Sequence, residues 1–253
     1  MKITVLMKDV PDLVEDLELE AGQLLVDDIS FVVSEWDDQA LEEALLIKDE
    51  AGADVTIVAV DTGDVDTMLY TALAKGADRA VKIVGDFTRR LTNRTRAAIL
   101  AEYCKSESPD LILTGVQAID DIDGQIAGLL AGYLDIPHAS VVREVHTMDA
   151  QVHFIQEYSG GRMAEFTAAS PVLLGIQAAR KPPRYVTVAK VRQLQKSATL
   201  DEVQVVLPST PGLTVRRLYK PEAAGHAEMW GDDADTVAEH IVRVLGEKKL
   251  LRS

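Results

Sequence analysis

The sequence Leu111-Ile-Leu-Thr-Gly-Val-Gln-Ala-Ile-Asp-Asp-Ile-Asp-Gly-Gln-Ile-Ala-Gly-Leu-Leu-Ala-Gly-Tyr133 joins an apolar run to a polar segment and then to a small-residue run. Leu111 to Leu113, closed by Thr114-Gly115, reads as a buried strand delivering the chain to a turn. Gln117 to Asp123 is the polar loop, and Gly124, Gly128 and Gly132 recur at helical spacing after it. That spacing predicts a helix face against which a neighbour packs closely. A strand, a polar loop and a helix start leave free N–H groups at the helix N-terminus, where an anion is favoured. Two readings fit these residues. One is an ordinary β–α connection with glycines that seat a helix on a sheet. The other is a nucleotide or phosphate site at the carboxyl end of a strand.

Working outward, residues 1–134 alternate strand and helix. Lys2 to Met7 is a strand, and Lys8-Asp-Val-Pro-Asp12 reads as a loop begun by the proline. Leu17 to Val33, with Ala21-Gly22 between apolar runs, predicts a hairpin-like excursion. Ser34-Glu-Trp-Asp37 opens a helix with Ser34 as N-cap, and Ala40, Leu41, Ala44, Leu45 and Ile47 carry its apolar face to about Glu50. Asp54 to Val60 and Ala80 to Val84 are strands, Met68 to Lys75 and Thr92 to Lys105 are helices, and Gly76 stands at a helix C-terminus. This order predicts an α/β fold: a mostly parallel sheet with helices on both faces.

After Pro137 the texture changes. Ala139–Val145, Val152–Tyr158, Met163–Thr167 and Pro171–Ile176 read as strands, with Ser159-Gly160-Gly161 as a turn. Lys181-Pro-Pro-Arg-Tyr185 is a punctuated link. The chain is therefore expected to divide into an α/β domain over 1–185 and a C-terminal extended arm over 186–253. The arm holds a strand-like piece at Thr214–Leu218 and an amphipathic helix over about Asp235–Leu245. Its recurrent apolar residues are read as wrapping a partner subunit.

Composition excludes several classes. No apolar run reaches the ~20 residues that span a bilayer, and the N-terminus opens into a strand rather than a signal peptide. Lys and Arg number 26 against 41 Asp and Glu, and the resulting charge of −15 argues against general nucleic-acid binding. Cys104 is the lone cysteine, so there is no disulfide framework. The first strand is followed by no G-x-G-x-x-G, there is no phosphate-binding lysine loop, and the five histidines lack metal-ligand spacing. Asp120, Asp121 and Asp123 read as pre-helical capping acids rather than a magnesium site. No catalytic set and no metal site is assigned.

Four motifs in register carry a family resemblance: Gly115-Val-Gln-Ala-Ile-Asp-Asp121 with Gln125 and Ala131-Gly132; Gly76-Ala-Asp-Arg79; Trp36-Asp-Asp with Leu41-Glu-Glu-Ala44; and Pro183-Arg-Tyr185. Together they resemble the beta (small) subunit of electron transfer flavoproteins over almost the whole chain. The resemblance implies an adenine-nucleotide-binding type of α/β fold that holds an AMP with no redox role. It also implies a heterodimer with an alpha subunit carrying most of a redox-active FAD. Electrons would come from flavin-containing dehydrogenases and pass to a quinone-reducing acceptor of the respiratory chain. The chain would be an electron carrier without catalytic activity of its own, in a bacterial or archaeal cytoplasm.

Carried over by position, the nucleotide pocket would comprise Leu6, Ser34, Glu35, Trp36, Asp37, Val60, Gly115, Gln117, Ala118, Ile119, Asp120, Asp121, Asp123, Gly124, Gln125 and Ile126. Backbone N–H groups from Asp123 to Ile126, with the Gln125 amide, would hold the phosphate, and Trp36 would face the flavin. Tyr185, Val188, Val191 and Leu194 fall on the segment that docks dehydrogenases. Gly124 and Ile126 depart from an Asn and a Thr common in the family pattern, and Val188 replaces a docking leucine. Bifurcating members hold a second FAD in place of AMP; Asp120-Asp121 resembles the AMP-binding members more. The reading from a different class is a stand-alone adenine-nucleotide-binding regulatory module without flavin.

Overall fold

The computed structural model describes every residue except 15–17, 26–28, 64, 89–90, 122, 149–150, 207–215, 221–224, 226, 232 and 252–253. The chain opens with β1 (Lys2–Leu6) and β2 (Asp9–Pro11), followed by β3 (Leu19–Glu20), β4 (Gln23–Leu24) and β5 (Phe31–Val33). Helix α1 (Glu35–Ala51), β6 (Asp54–Val60), α2 (Asp66–Lys75), β7 (Arg79–Val84), α3 (Asn93–Glu107), β8 (Leu111–Gly115) and α4 (Ile126–Leu134) continue the alternation. Next come β9 (His138–Met148), β10 (Gln151–Tyr158), β11 (Arg162–Ala169) and β12 (Val172–Ile176). The chain then forms α5 (Val188–Ser197), β13 (Asp201–Gln204) and α6 (Ala234–Glu247).

Nine strands form one sheet in the order β11-β10-β9-β12-β8-β1-β6-β7-β13. From β9 to β13 every neighbouring pair is parallel, while β10 and β11 add an antiparallel edge. Strict alternation sorts the side chains. Leu111 and Leu113 join a core with Leu41, Leu45 and Leu69 of α1 and α2. Ile112 joins the opposite core with Ile99 of α3 and Leu130 of α4. Each fully buried Leu or Ile contributes about 1.5–3 kcal/mol, so the two cores fix which helix lies on which face. The expected α/β class, with helices on both faces, is the observed one.

Three local expectations are corrected. Asp9–Pro11 is not a loop: it pairs antiparallel with β5, with Pro11 opposite Phe31 at the strand end. Ser34 holds the N-cap position of α1, but its hydroxyl makes no capping bond and is buried without a partner. The chain beyond residue 186 is not simply extended. Helix α5 packs on α2, and β13 pairs parallel with β7 as the ninth strand. Arg79 and Lys82 of β7 hold it through Asp201 and Glu202. The strand-like piece expected from Thr214 begins outside the described residues, whereas the final helix is present with an N-cap bond from Thr236 N–H to Asp233. The Ala21-Gly22 hairpin turn and the Gly76 terminus appear as expected, all three residues at positive φ.

The middle and end of α1 are tied to the C-terminal link by two arginines. Glu43 is fully buried, and its Oε1 accepts from Val145 N–H and Arg180 Nε, both at 2.8 Å, while Oε2 accepts from Arg180 N–H at 2.9 Å. Glu42 receives the Arg184 guanidinium and the Arg184 backbone N–H in the same way. These pairs explain how two acids sit on the buried side of a helix.

Candidate functional site

Strands β6 and β7 follow β1 on one side of the sheet, and α3 then carries the chain across to β8 on the other side. The strand order therefore reverses between β1 and β8, and a crevice opens outside their carboxyl ends, the usual place for a ligand in a sheet of this kind. A cleft partly open to solvent occupies this place. Its walls are Leu6, Met7 and Lys8 after β1, Asp37 of α1 and Val60 at the end of β6. Asn93, Arg96 and Leu100 of α3, Thr114, Gly115, Gln117, Ala118 and Asp121, and Ile126 of α4 complete them.

Asp37 holds the crevice in shape. Its Oδ1 accepts the Gly115 N–H and its Oδ2 the Lys8 N–H, each at 2.9 Å, so one side chain joins both strand ends to α1. Burial pushes its carboxyl up to about 7, against the lowering from the Lys8 N–H and charge and from the Gly115 N–H. Gly115 is the close approach: an added Cβ would lie 2.5 Å from Asp37 Oδ1 and 2.8 Å from Trp36 Cβ.

The loop after β8 is closed by its own acids. Asp121 Oδ1 accepts from Ala118 N–H at 3.0 Å, and Lys8 Nζ reaches Asp120 at 2.6 Å and Asp121 Oδ2. Asp123 accepts from Asn93 Nδ2 at 2.8 Å and from Gln125 N–H at 3.3 Å. Gly124, at φ +61°, donates to Asp121 O. Helix α4 then begins at Ile126 with no side-chain cap, its first spanning bond running from Leu129 N–H to Gln125 O. First-turn N–H groups of a helix have no partner within it and carry a positive potential.

Arg96 is the other positive feature of the cleft. It is 8% exposed, and burial pulls its guanidinium below its ordinary range despite attraction from Asp120 and Asp121. Its guanidinium makes no hydrogen bond or ion pair with the described residues. Leu6, Val60 and Leu100 supply an apolar part of the wall.

A family model for the electron transfer flavoprotein domain matches residues 23–208. The chain belongs to the electron transfer flavoprotein family, as a beta subunit. It is 34% identical to the electron transfer flavoprotein subunit beta of Methylophilus methylotrophus, over 98% of this chain and 99% of that protein. The corresponding subunit of Bacillus subtilis is 29% identical over 99% and 100%. A subunit of the caffeyl-CoA reductase-Etf complex of Acetobacterium woodii, named CarD, is 29% identical over 99% and 100%.

Of the residues that the family resemblance nominated, Leu6, Asp37, Val60, Gly115, Gln117, Ala118, Asp121 and Ile126 line the cleft. Ser34, Glu35, Trp36, Ile119, Asp120, Asp123, Gly124 and Gln125 surround it without lining it. Glu35, Ile119, Asp123 and Gln125 are exposed, and Asp120 is turned to Lys8. Sequence reasoning missed Met7, Lys8, Asn93, Arg96, Leu100 and Thr114. For Arg96 a signal existed: it shares a helical face with Asn93 and Leu100, a charge amid apolar neighbours.

The expectation of close packing at Gly128 and Gly132 is corrected. A Cβ on Gly128 would make ordinary contact with His138 at 3.5 Å, and one on Gly132 would meet nothing within 4 Å. Crowding falls instead on Gly115. Within the segment expected to dock dehydrogenases, Tyr185 and Val188 are 84% and 61% exposed and Leu194 is half-buried, whereas Val191 turns inward at 9%. Among the described residues no helix is long and apolar enough to cross a membrane, and no cluster of metal-ligating side chains occurs.

Proposed function

We propose that the β1–β8 cleft holds one AMP with a structural role, and that the chain works as the beta half of a heterodimeric electron carrier. The observation that carries this is the coincidence of the Gly115–Ile126 motif with the crevice at the strand reversal. Leu6, Val60 and Leu100 offer an apolar surface for an adenine ring, and Gln117 an amide for the nucleoside. The uncapped start of α4 offers N–H donors to a phosphate.

An alpha subunit would carry the redox-active FAD, whose chemistry is the acceptance and release of electrons, with Trp36 beside it on the outer turn of α1. This chain contributes binding and shape rather than a catalytic group. The exposed Tyr185 and Val188 form the surface for flavin-containing dehydrogenases, and a quinone-reducing acceptor takes the electrons onward in the cytoplasm. A second reading is a bifurcating subunit that holds a second FAD in the same cleft. Against it, Asp121 lines the cleft and is held there by Lys8, which narrows the space beside the loop.

Acid release of nucleotides from the chain co-purified with its alpha subunit tests this. One FAD and one AMP per heterodimer is the expected result. Two FAD and no AMP would move the protein to the bifurcating class, and a flavin-free, stable lone chain would favour a regulatory nucleotide-binding module.

A further inference from the structure

The geometry points to Arg96 as the counter-ion of the nucleotide's phosphate, the residue that makes the cleft select a phosphorylated adenosine over adenosine itself. This rests on the reading of the cleft as a nucleotide site and adds the group that reads the ligand's charge.

Three observations lead there. Arg96 lies on the cleft-facing side of α3, one turn from Asn93 and one turn from Leu100, both of which line the same space. It is over nine-tenths buried, yet its guanidinium makes no ion pair or hydrogen bond with the described residues. Other buried charges near the sheet ends have partners: Lys8 holds Asp120 and Asp121, Asp37 accepts two backbone N–H groups, and Glu43 holds Arg180. A guanidinium withdrawn from water without an acceptor is strongly unfavourable, so a site that retains one gains when an anion arrives from outside.

The anion has a second anchor already in place. Ile126, the first residue of α4, lines the cleft with Arg96, and the helix start is uncapped. Guanidinium and helix N-terminus therefore meet one space from two elements. A phosphate suits both, since its oxygens accept forked N–H donors from arginine and single ones from a helix turn. An adenine or ribose carries no charge to offer either. Lys8 cannot substitute, because its ammonium is engaged by two carboxylates.

The test uses the full-length chain in complex with its alpha subunit, stripped of nucleotide, with AMP, adenosine and inorganic phosphate as probes in calorimetry and thermal-shift measurements. Wild type should bind AMP at least tenfold more tightly than adenosine. Arg96→Gln should lose tenfold or more of the AMP affinity while adenosine binding moves less than twofold, and Arg96→Lys should recover part of the loss. An AMP-to-adenosine ratio unchanged in Arg96→Gln overturns the assignment. If that variant does not fold, the wild-type ratio decides, and a value near one overturns it. Stabilisation by inorganic phosphate in wild type but not in Arg96→Lys or Arg96→Gln, with no binding of AMP or adenosine, would keep the anion site and sink the nucleotide reading. Indifference to all three probes would sink both.

Discussion

Replacing Gly115 by alanine places a methyl group where β8 meets α1. The new Cβ would stand 2.5 Å from Asp37 Oδ1, 2.8 Å from Trp36 Cβ and 2.9 Å from the Asp37 backbone nitrogen. Carbon contacts of this kind sit at about 3.5 Å, so each is short by roughly 0.6–1 Å. Two of the three atoms belong to the framework of α1 and cannot swing aside. If the Asp37 side chain rotates instead, it gives up its bonds to Gly115 N–H and Lys8 N–H. Overpacking costs about 1–3 kcal/mol, and one lost hydrogen bond to a charged group about 1.5–3 kcal/mol. The sum is about 2.5–6 kcal/mol, equivalent to a Tm lowered by roughly 5–24 °C in a domain of this size. Gly132→Ala is the matched control. It is exposed within α4, its added Cβ meets nothing within 4 Å, and it should stabilise by about 0.5–1 kcal/mol. Urea denaturation followed by circular dichroism measures both. A Gly115→Ala protein within about 1 kcal/mol of wild type, or a Gly132→Ala protein less stable than it, would refute the reasoning.

Further outcomes follow from the same contacts. Because the Asp37 carboxyl rises from 3.8 to about 7 on folding, the folded chain binds more protons than the unfolded one between those pH values. Its contribution to stability is therefore greatest at low pH and falls by roughly 4 kcal/mol as pH rises through 7. Asp37→Asn removes this slope, so the wild-type minus mutant stability should shrink from pH 4 to 8, and a constant gap over that range would contradict it. Glu43→Ala leaves Arg180 paired with Glu50 but removes the acceptor of the Val145 N–H, and should cost about 1–3 kcal/mol in denaturant titration. A loss below about 1 kcal/mol would show that the pair holds nothing. At Gly124, φ +61° is a conformation asparagine and aspartate also adopt, so Gly124→Asn should retain its nucleotide. Gly124→Asp should release most of it on purification, since only the charge differs; equal AMP content in the two variants would exclude a phosphate beside this turn.

The alternation of apolar strands with helices over residues 1–134 determined the α/β class, because side-chain period identifies an element and its buried face wherever it packs. Ala21-Gly22, Gly76 and the pre-helical loop Gln117–Asp123 were legible for the same reason: their chemistry is local. Family motifs then located much of the cleft wall, including Asp37, Gly115 and Asp121. What remained hidden depends on neighbours distant in the chain. Three glycines four residues apart in sequence look alike, yet Gly132 faces open space while Gly115, outside that pattern, touches Trp36 and Asp37. Lys8 meets Asp121 across 113 positions only because β1 and β8 lie side by side. Asp201–Gln204 carries too little apolar character to announce a strand, and it becomes one because β7 presents a free edge, with Arg79 and Lys82 placed to pair with Asp201 and Glu202. Arg96 is the sharpest case. The sequence supplied a charge on an apolar helix face, and only the strand order placed that charge, buried and unpaired among the described residues, beside the start of α4. Local periodicity sets what each element can bury; the order of strands in the sheet decides which buried groups meet.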